Sequence, residues 1–143
     1  MPLSRQCCFP RSRASVRGAR GFVLQTLTDW SCTDRLDDIR LCVSELATNA
    51  MLHGAPPGRE YCVSLSLDGA ALRLEVRDSG DQVLGTQHLA TGDPNCDAHS
   101  GRGLLLVRES ADDIGVTAHT VGKTVWTAFK VAGQAKRIAE GEH

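Results

Sequence analysis

The sequence predicts an α/β two-layer sandwich, an antiparallel or mixed sheet with helices packed on one face. Three observations carry that expectation. Two stretches, 13–30 and 34–53, repeat apolar residues at helical spacing. Two further regions, 61–76 and 114–131, alternate apolar and polar residues as paired strands do, and each pair turns at a glycine. The chain has 143 residues, the size of one domain with one core. Its 41% hydrophobic and 23% charged content suits a soluble globular protein. No run approaches the roughly 18 apolar residues of a membrane span, so no membrane partner is expected. A formal net charge of -1 argues against general nucleic-acid binding.

Residues 1–11 read as an N-terminal segment with a short edge strand around Gln6 to Phe9, ended by Pro10. Ser12 is placed to cap a helix. From Arg13 to Trp30 the apolar residues Val16, Ala19, Phe22, Val23, Leu27 and Trp30 recur at helical spacing, while Arg13, Arg17 and Arg20 form a second line. That basic stripe is either a solvated face or a patch for an acidic partner, and the sequence does not choose between them. Residues 1–28 contain Arg5 and Arg11 as well and no acid, a composition also found in transit peptides. The apolar periodicity runs straight into the domain, which favours a folded helix.

The six cysteines form no C-x-x-C pair and follow no secretory signal, so reduced thiols in a cytoplasmic protein are expected. Cys96 and His99, with His88 upstream, have metal-ligand spacing but lack a second paired half; coincidence is the simpler account.

Ser31 to Thr33 breaks the first helix, Thr33 or Asp34 can cap the next, and Asp37 and Asp38 suit its positive end. The second helix should run to about His53, with Gly54 past its end and Pro56-Pro57-Gly58 forbidding continuation. Ile39, Val43, Leu46 and Ala50 share its apolar arc, and Glu45 and Asn49 sit one turn apart at the margin. A carboxylate there can accept a proton, and a carboxamide oxygen suits a hard cation such as Mg²⁺. Taken alone, the pair could equally be a solvated Glu and Asn.

Tyr61 to Leu67, the turn Asp68-Gly69, and Leu72 to Val76 make a hairpin with one buried face. Residues 79–100 hold no sustained periodicity, and a loop of that length inside a compact domain is a lid or a binding loop. It ends at Ser100-Gly101-Arg102-Gly103, where Leu104 begins a helix to about Asp112; two glycines at a helix start let backbone N–H groups approach an anion. Ile114 to Thr120 and Thr124 to Val131 read as a last hairpin, followed by a polar tail, 132–143. Gly122-Lys123-Thr124 ends like a P-loop, but Thr117 stands where the first glycine belongs and a strand follows where a helix should.

Glu45 and Asn49 on a helix, Asp78-Ser79-Gly80 at a strand end, a long loop, and Gly101-Arg102-Gly103-Leu104 at a helix start therefore occur in a definite order. An Asp leaving a strand can accept a hydrogen bond from an exocyclic amine, with Gly80 leaving room for a ring, so a purine suits it. In this order the pieces resemble the Bergerat-fold ATPases, the superfamily of gyrase and the histidine kinases, and most closely the actinobacterial type of anti-sigma-factor serine kinase. The resemblance covers roughly residues 12–131. It implies ATP and Mg²⁺ as cofactors, Glu45 as general base and Asn49 as Mg²⁺ ligand. It also implies adenine recognition by Asp78 and Gly80, a phosphate-side box of Gly101, Arg102, Gly103 and Leu104, and Thr124 as the strand threonine behind the adenine. The lid departs from the family at Asp81-Gln82-Val83, where relatives often carry Pro or a second Gly.

The function the resemblance implies is phosphorylation, by ATP, of a Ser or Thr on an anti-sigma-factor antagonist, in a partner switch that controls a sigma factor. The alternatives are a nucleotide-binding module that sequesters a regulator through Arg13, Arg17 and Arg20, and an ATPase whose hydrolysis drives a lid. No phosphoacceptor-His helix precedes the domain, so a complete histidine kinase is not expected. A homodimer stays open.

Overall fold

The structure, a computed structural model, describes residues 2–54, 60–78, 105–119 and 122–132. Strand β1 (Leu3–Pro10) leads into helix α1 (Arg13–Asp29) and helix α2 (Leu36–Asn49), which continues as a wider π-helical turn, Ala50–Gly54. Strands β2 (Glu60–Asp68) and β3 (Ala71–Asp78) follow, then a short helix α3 (105–110), β4 (Asp113–Ala118) and β5 (Lys123–Lys130). The sheet order is β1-β2-β3-β5-β4 with every neighbouring pair antiparallel. The expected two-layer sandwich is therefore present, and among the described strands the sheet is antiparallel throughout. Among the described residues no helix is long and apolar enough to cross a membrane.

The core follows from two periodicities. Tyr61, Val63, Leu65 and Leu67 of β2, Leu72, Leu74 and Val76 of β3, and Val125 and Phe129 of β5 point to one face and are buried. Ala19, Val23 and Leu27 of α1 and Ile39, Cys42, Val43, Leu46 and Ala47 of α2 close over them. Ser15, on the same face of α1, is satisfied by the Tyr61 hydroxyl at 2.7 Å, and burial pushes that phenol above its ordinary value, with the Ser15 hydrogen bond opposing.

The helix ends explain themselves locally. The Ser12 hydroxyl accepts from the Ser15 N–H at 3.3 Å, as a cap should. Past Trp30, Ser31 adopts φ 54°, and the N–H groups of Ser31 and Cys32 bond back to Thr28 O (3.1 Å) and Leu27 O (2.8 Å), a Schellman ending with serine in place of glycine. Neither Thr33 nor Asp34 caps α2: Arg35 stands at its N-cap without a side-chain capping bond, and the Asp34 carboxylate accepts from the Ala132 N–H at 2.9 Å. Ser44 and Thr48 bond back to the carbonyls of Arg40 (2.8 Å) and Ser44 (2.7 Å). Such sharing loosens a helical ladder, and α2 widens into its π-helical turn directly afterwards. The Arg11 guanidinium takes up the carbonyls of that turn, Met51 O at 2.7 Å and Leu52 O at 3.4 Å.

β1 is longer than its apolar content suggests, because it pairs along its whole length with β2 from Leu3↔Leu67 to Pro10↔Glu60. Arg5 there is tied to Asp29 at 2.8 Å and does not join the basic stripe. At the far side of the domain Arg35 binds Asp38 (2.9 Å), Asp112 (2.8 Å), Ser110 O (3.0 Å) and Lys130 O (3.2 Å), and stacks 5.4 Å over Phe129. One side chain thus joins the start of α2 to the end of α3 and to β5.

Two stability predictions follow from these contacts. A methyl group on Gly115 would run into the Trp126 ring, which also carries Arg73 stacked at 4.4 Å. Gly115→Ala should therefore destabilise by about 1–3 kcal/mol through overpacking, seen as a lower urea midpoint; an unchanged midpoint would show that the ring moves freely. Asp112 is held below its ordinary 3.8, first by the Arg35 hydrogen bond and then by the Lys130 N–H. Its contribution is complete above 3.8 and drains as pH falls through the lower folded value. Because Asp112 is 40% exposed, Asp112→Asn should cost only about 0.5–1 kcal/mol at pH 7. The variant's thermal midpoint should also fall less steeply than the wild type's below pH 4, by about the same amount.

Candidate functional site

Helix α2 and the turn after it both pack against β3, so the helix carrying Glu45 and Asn49 lies in the same layer contact as the strand that ends at Asp78. Glu45 and Asn49 are half-buried on one edge of α2 while Ile39, Val43 and Leu46 fill the core below. No ion pair among the described residues engages Glu45. The carboxylate is close enough to Cys42 to help raise that thiol, pushed up to about 12 chiefly by burial, with Asp38 adding and Arg35 opposing. Cys42 is an inert core thiol.

Asp78 closes β3 on the inward face and is only 3% exposed. Lys123 opens β5 directly opposite it in the register. The Lys123 ammonium donates to Asp78 Oδ2 at 3.0 Å, and the two side chains are 4% and 3% exposed. Thr124 is one residue on, and its pairing with Arg77 and Thr117 puts it on the outward face. Its Oγ1 lies 2.7 Å from His119 Nε2. A strand alternates faces residue by residue, so the side chain of β5 that meets Asp78 directly is that of Lys123, one residue before the expected Thr124. The sequence held the signal, because Val125, Thr127 and Phe129 form the inward face and extending that alternation backward reaches Lys123.

Gly80, Gly101, Arg102, Gly103 and Leu104 lie outside the described residues, as do His88, Cys96 and His99. The donor set that is described fits a nucleotide with its cation. A buried carboxylate at a strand end can accept from a base amine, and a half-buried carboxamide oxygen could offer a ligand to Mg²⁺.

The basic stripe lines a groove. Arg13, Arg17 and Arg20 of α1, with Ala14 and Val16, face Thr48 and Met51 at the end of α2 around a cavity of about 630 Å³. Arg13 and Arg17 are exposed and Arg20 is half-buried. The contribution of Thr48 and Met51 was not legible from their types.

The thiols differ from expectation in one respect. Cys7 and Cys42 carry free thiols, but Cys8 and Cys62 form a disulfide. The β1–β2 register sets these two residues directly opposite each other, and a pairing across 54 residues of sequence has no local signature.

Comparison with known proteins agrees with this geometry. Residues 9–129 match the histidine kinase-like ATPase domain. The anti-sigma F factor of Halalkalibacterium halodurans is 32% identical over 101 residues, covering 65% of this chain and 68% of that protein. The anti-sigma F factor of Bacillus subtilis is 30% identical over 100 residues, covering 64% of this chain and 67% of that protein. Among solved structures, the RsbU and RsbW domains of Rv1364c from Mycobacterium tuberculosis match with a TM-score of 0.67. That match covers 90% of this chain and 32% of the longer one at 16% identity, a likeness of fold. From the end of β1 to the last turn of β5, this chain belongs to the histidine kinase-like ATPase domain family.

Proposed function

We propose that the protein is an ATP-binding regulator of a partner switch, and that it phosphorylates a Ser or Thr of an anti-sigma-factor antagonist. The observation that carries this reading is the buried Asp78 carboxylate at the end of β3, the strand against which the helix carrying Glu45 and Asn49 packs. The relatives' name, anti-sigma F factor, supports the partner class.

In this reading Asp78 accepts the exocyclic amine of adenine, and Gly80 leaves space for the ring. Gly101, Arg102, Gly103 and Leu104, just before α3, would receive the phosphates at a helix start. The Asn49 carboxamide oxygen would hold Mg²⁺, which would offset the charge of the phosphates. Glu45, half-buried on the same helix edge, accepts the proton of the attacking hydroxyl. The acceptor protein, or the sigma factor itself, would dock on the groove of Arg13, Arg17 and Arg20, where positive charge selects an acidic surface. A sequestering module without phosphoryl transfer is the second reading; it keeps every role except that of Glu45.

Glu45 and Asn49 therefore separate the readings. Glu45→Gln preserves size and hydrogen-bonding capacity while removing the base, and should lower phosphate transfer to an antagonist by about 10²–10⁴ with nucleotide affinity nearly unchanged. Asn49→Ala should weaken Mg²⁺-dependent nucleotide binding itself. Calorimetry and transfer of labelled phosphate measure both. Normal transfer by the Glu45→Gln protein would leave the sequestering module as the function.

Arg17→Glu with Arg20→Glu should abolish capture of an acidic partner and leave nucleotide binding intact, since charge reversal acts on steering and register at the groove. Pull-down beside calorimetry reads the two separately, and loss of both activities would assign the stripe to folding instead.

A further inference from the structure

A lysine ammonium buried against the carboxylate proposed to read the base is more than a structural tie. Lys123 and Asp78 are each about as buried as the leucines beside them, at 3% exposure. The ammonium engages Oδ2 at 3.0 Å. An ionised carboxylate can only accept hydrogen bonds, whereas a protonated one also donates. At the position where a 6-aminopurine presents N–H, a 6-oxopurine presents a carbonyl oxygen. A carboxylate kept ionised therefore rejects the oxo base by setting acceptor against acceptor; a carboxyl able to carry a proton would accommodate both.

Resting on the nucleotide-site reading above, we infer that Lys123 is the positioning residue that sets base selectivity. By holding Oδ2 of Asp78 in a charged pair, it makes the carboxylate an obligate acceptor and so restricts the site to 6-amino purines. Lys123 acts through Asp78, and its substitution relaxes the choice of base.

The test compares ATP with inosine triphosphate, which differ in the 6-amino and 6-oxo groups and in the proton that the oxo base carries on N1, by calorimetry with Mg²⁺ on the full chain. The wild type should prefer ATP by about tenfold or more, the loss expected when a buried acceptor is left without its donor. Lys123→Met should bring the ratio of the two dissociation constants to within about threefold, and Lys123→Arg, which keeps the charge, should retain the preference. If Lys123→Met does not fold, Lys123→Met combined with Asp78→Asn replaces both halves of the pair, a change that buried pairs tolerate better than loss of one partner. The carboxamide offers donor and acceptor together, so this variant should also lose selectivity. A folded Lys123→Met protein with the wild-type ratio overturns the inference, as does a wild type that binds both triphosphates equally well. Either result leaves the nucleotide site standing. A wild type that binds neither triphosphate removes the site reading itself and the inference with it.

Discussion

The structure depends on one apolar layer, the contact of α2 with the inward face of the sheet. Ile39, Val43 and Leu46 on one side, with Leu72, Leu74 and Val76 on the other, are all essentially removed from water, each worth about 1.5–3 kcal/mol relative to exposure. The polar groups of interest lie at the rim of this layer because the alternation of the strands outlasts their apolar run. β3 proceeds inward through Leu72, Leu74 and Val76 and arrives at Asp78; β5 runs inward through Phe129, Thr127 and Val125 and arrives at Lys123. A charge delivered to such a place needs an opposite charge, and the register supplies one.

Around that layer, arginines fix the ends of elements that the core leaves loose. Arg11 holds the carbonyls beyond Asn49, where the α-helical ladder has already widened. Arg35 does the same at the other end of α2, gathering Asp38 and Asp112 with two carbonyls, and these carboxylates raise its own pKa. Guanidinium suits both tasks because its planar fork can satisfy several acceptors at once. The helix that carries Glu45 and Asn49 is thus anchored before and after them, which is what a site on a helix end needs to hold its geometry.

Much of this was legible in the sequence because the periodicities are clean. Val16, Ala19, Val23 and Leu27 marked α1, the alternation from Tyr61 to Val76 marked β2 and β3, and Asp68-Gly69 marked the turn, where Gly69 takes φ 61°. What escaped was decided by register or by distant partners. β1 extends to Leu3 because its backbone pairs with β2, although its own residues are mostly exposed. The Cys8–Cys62 bond depends on that same register. Ser31 in a left-handed conformation gave no glycine signal. Asp78, Glu45 and Asn49 were singled out from residue order, whereas Lys123, one residue before Thr124 and so on the opposite face of its strand, was not.

The last turn of α2 has two edges that serve different ligands in the proposed reading. Thr48 and Met51 face the arginines of α1 across the groove, while Asn49, one residue along and so about 100° around the helix, belongs with Glu45 on the other edge. A partner seated in the groove and a nucleotide at Asp78 would therefore bear on the same few residues from different sides. That turn also shifts from α to π geometry at Ala50, and there Arg11 gathers the carbonyls of Met51 and Leu52. An irregular turn at low energetic cost can adopt two arrangements where a straight helix cannot, and coupling between sites requires an element of that kind. Within the described residues, the end of α2 lines the basic groove and packs against the strand that ends at the buried carboxylate.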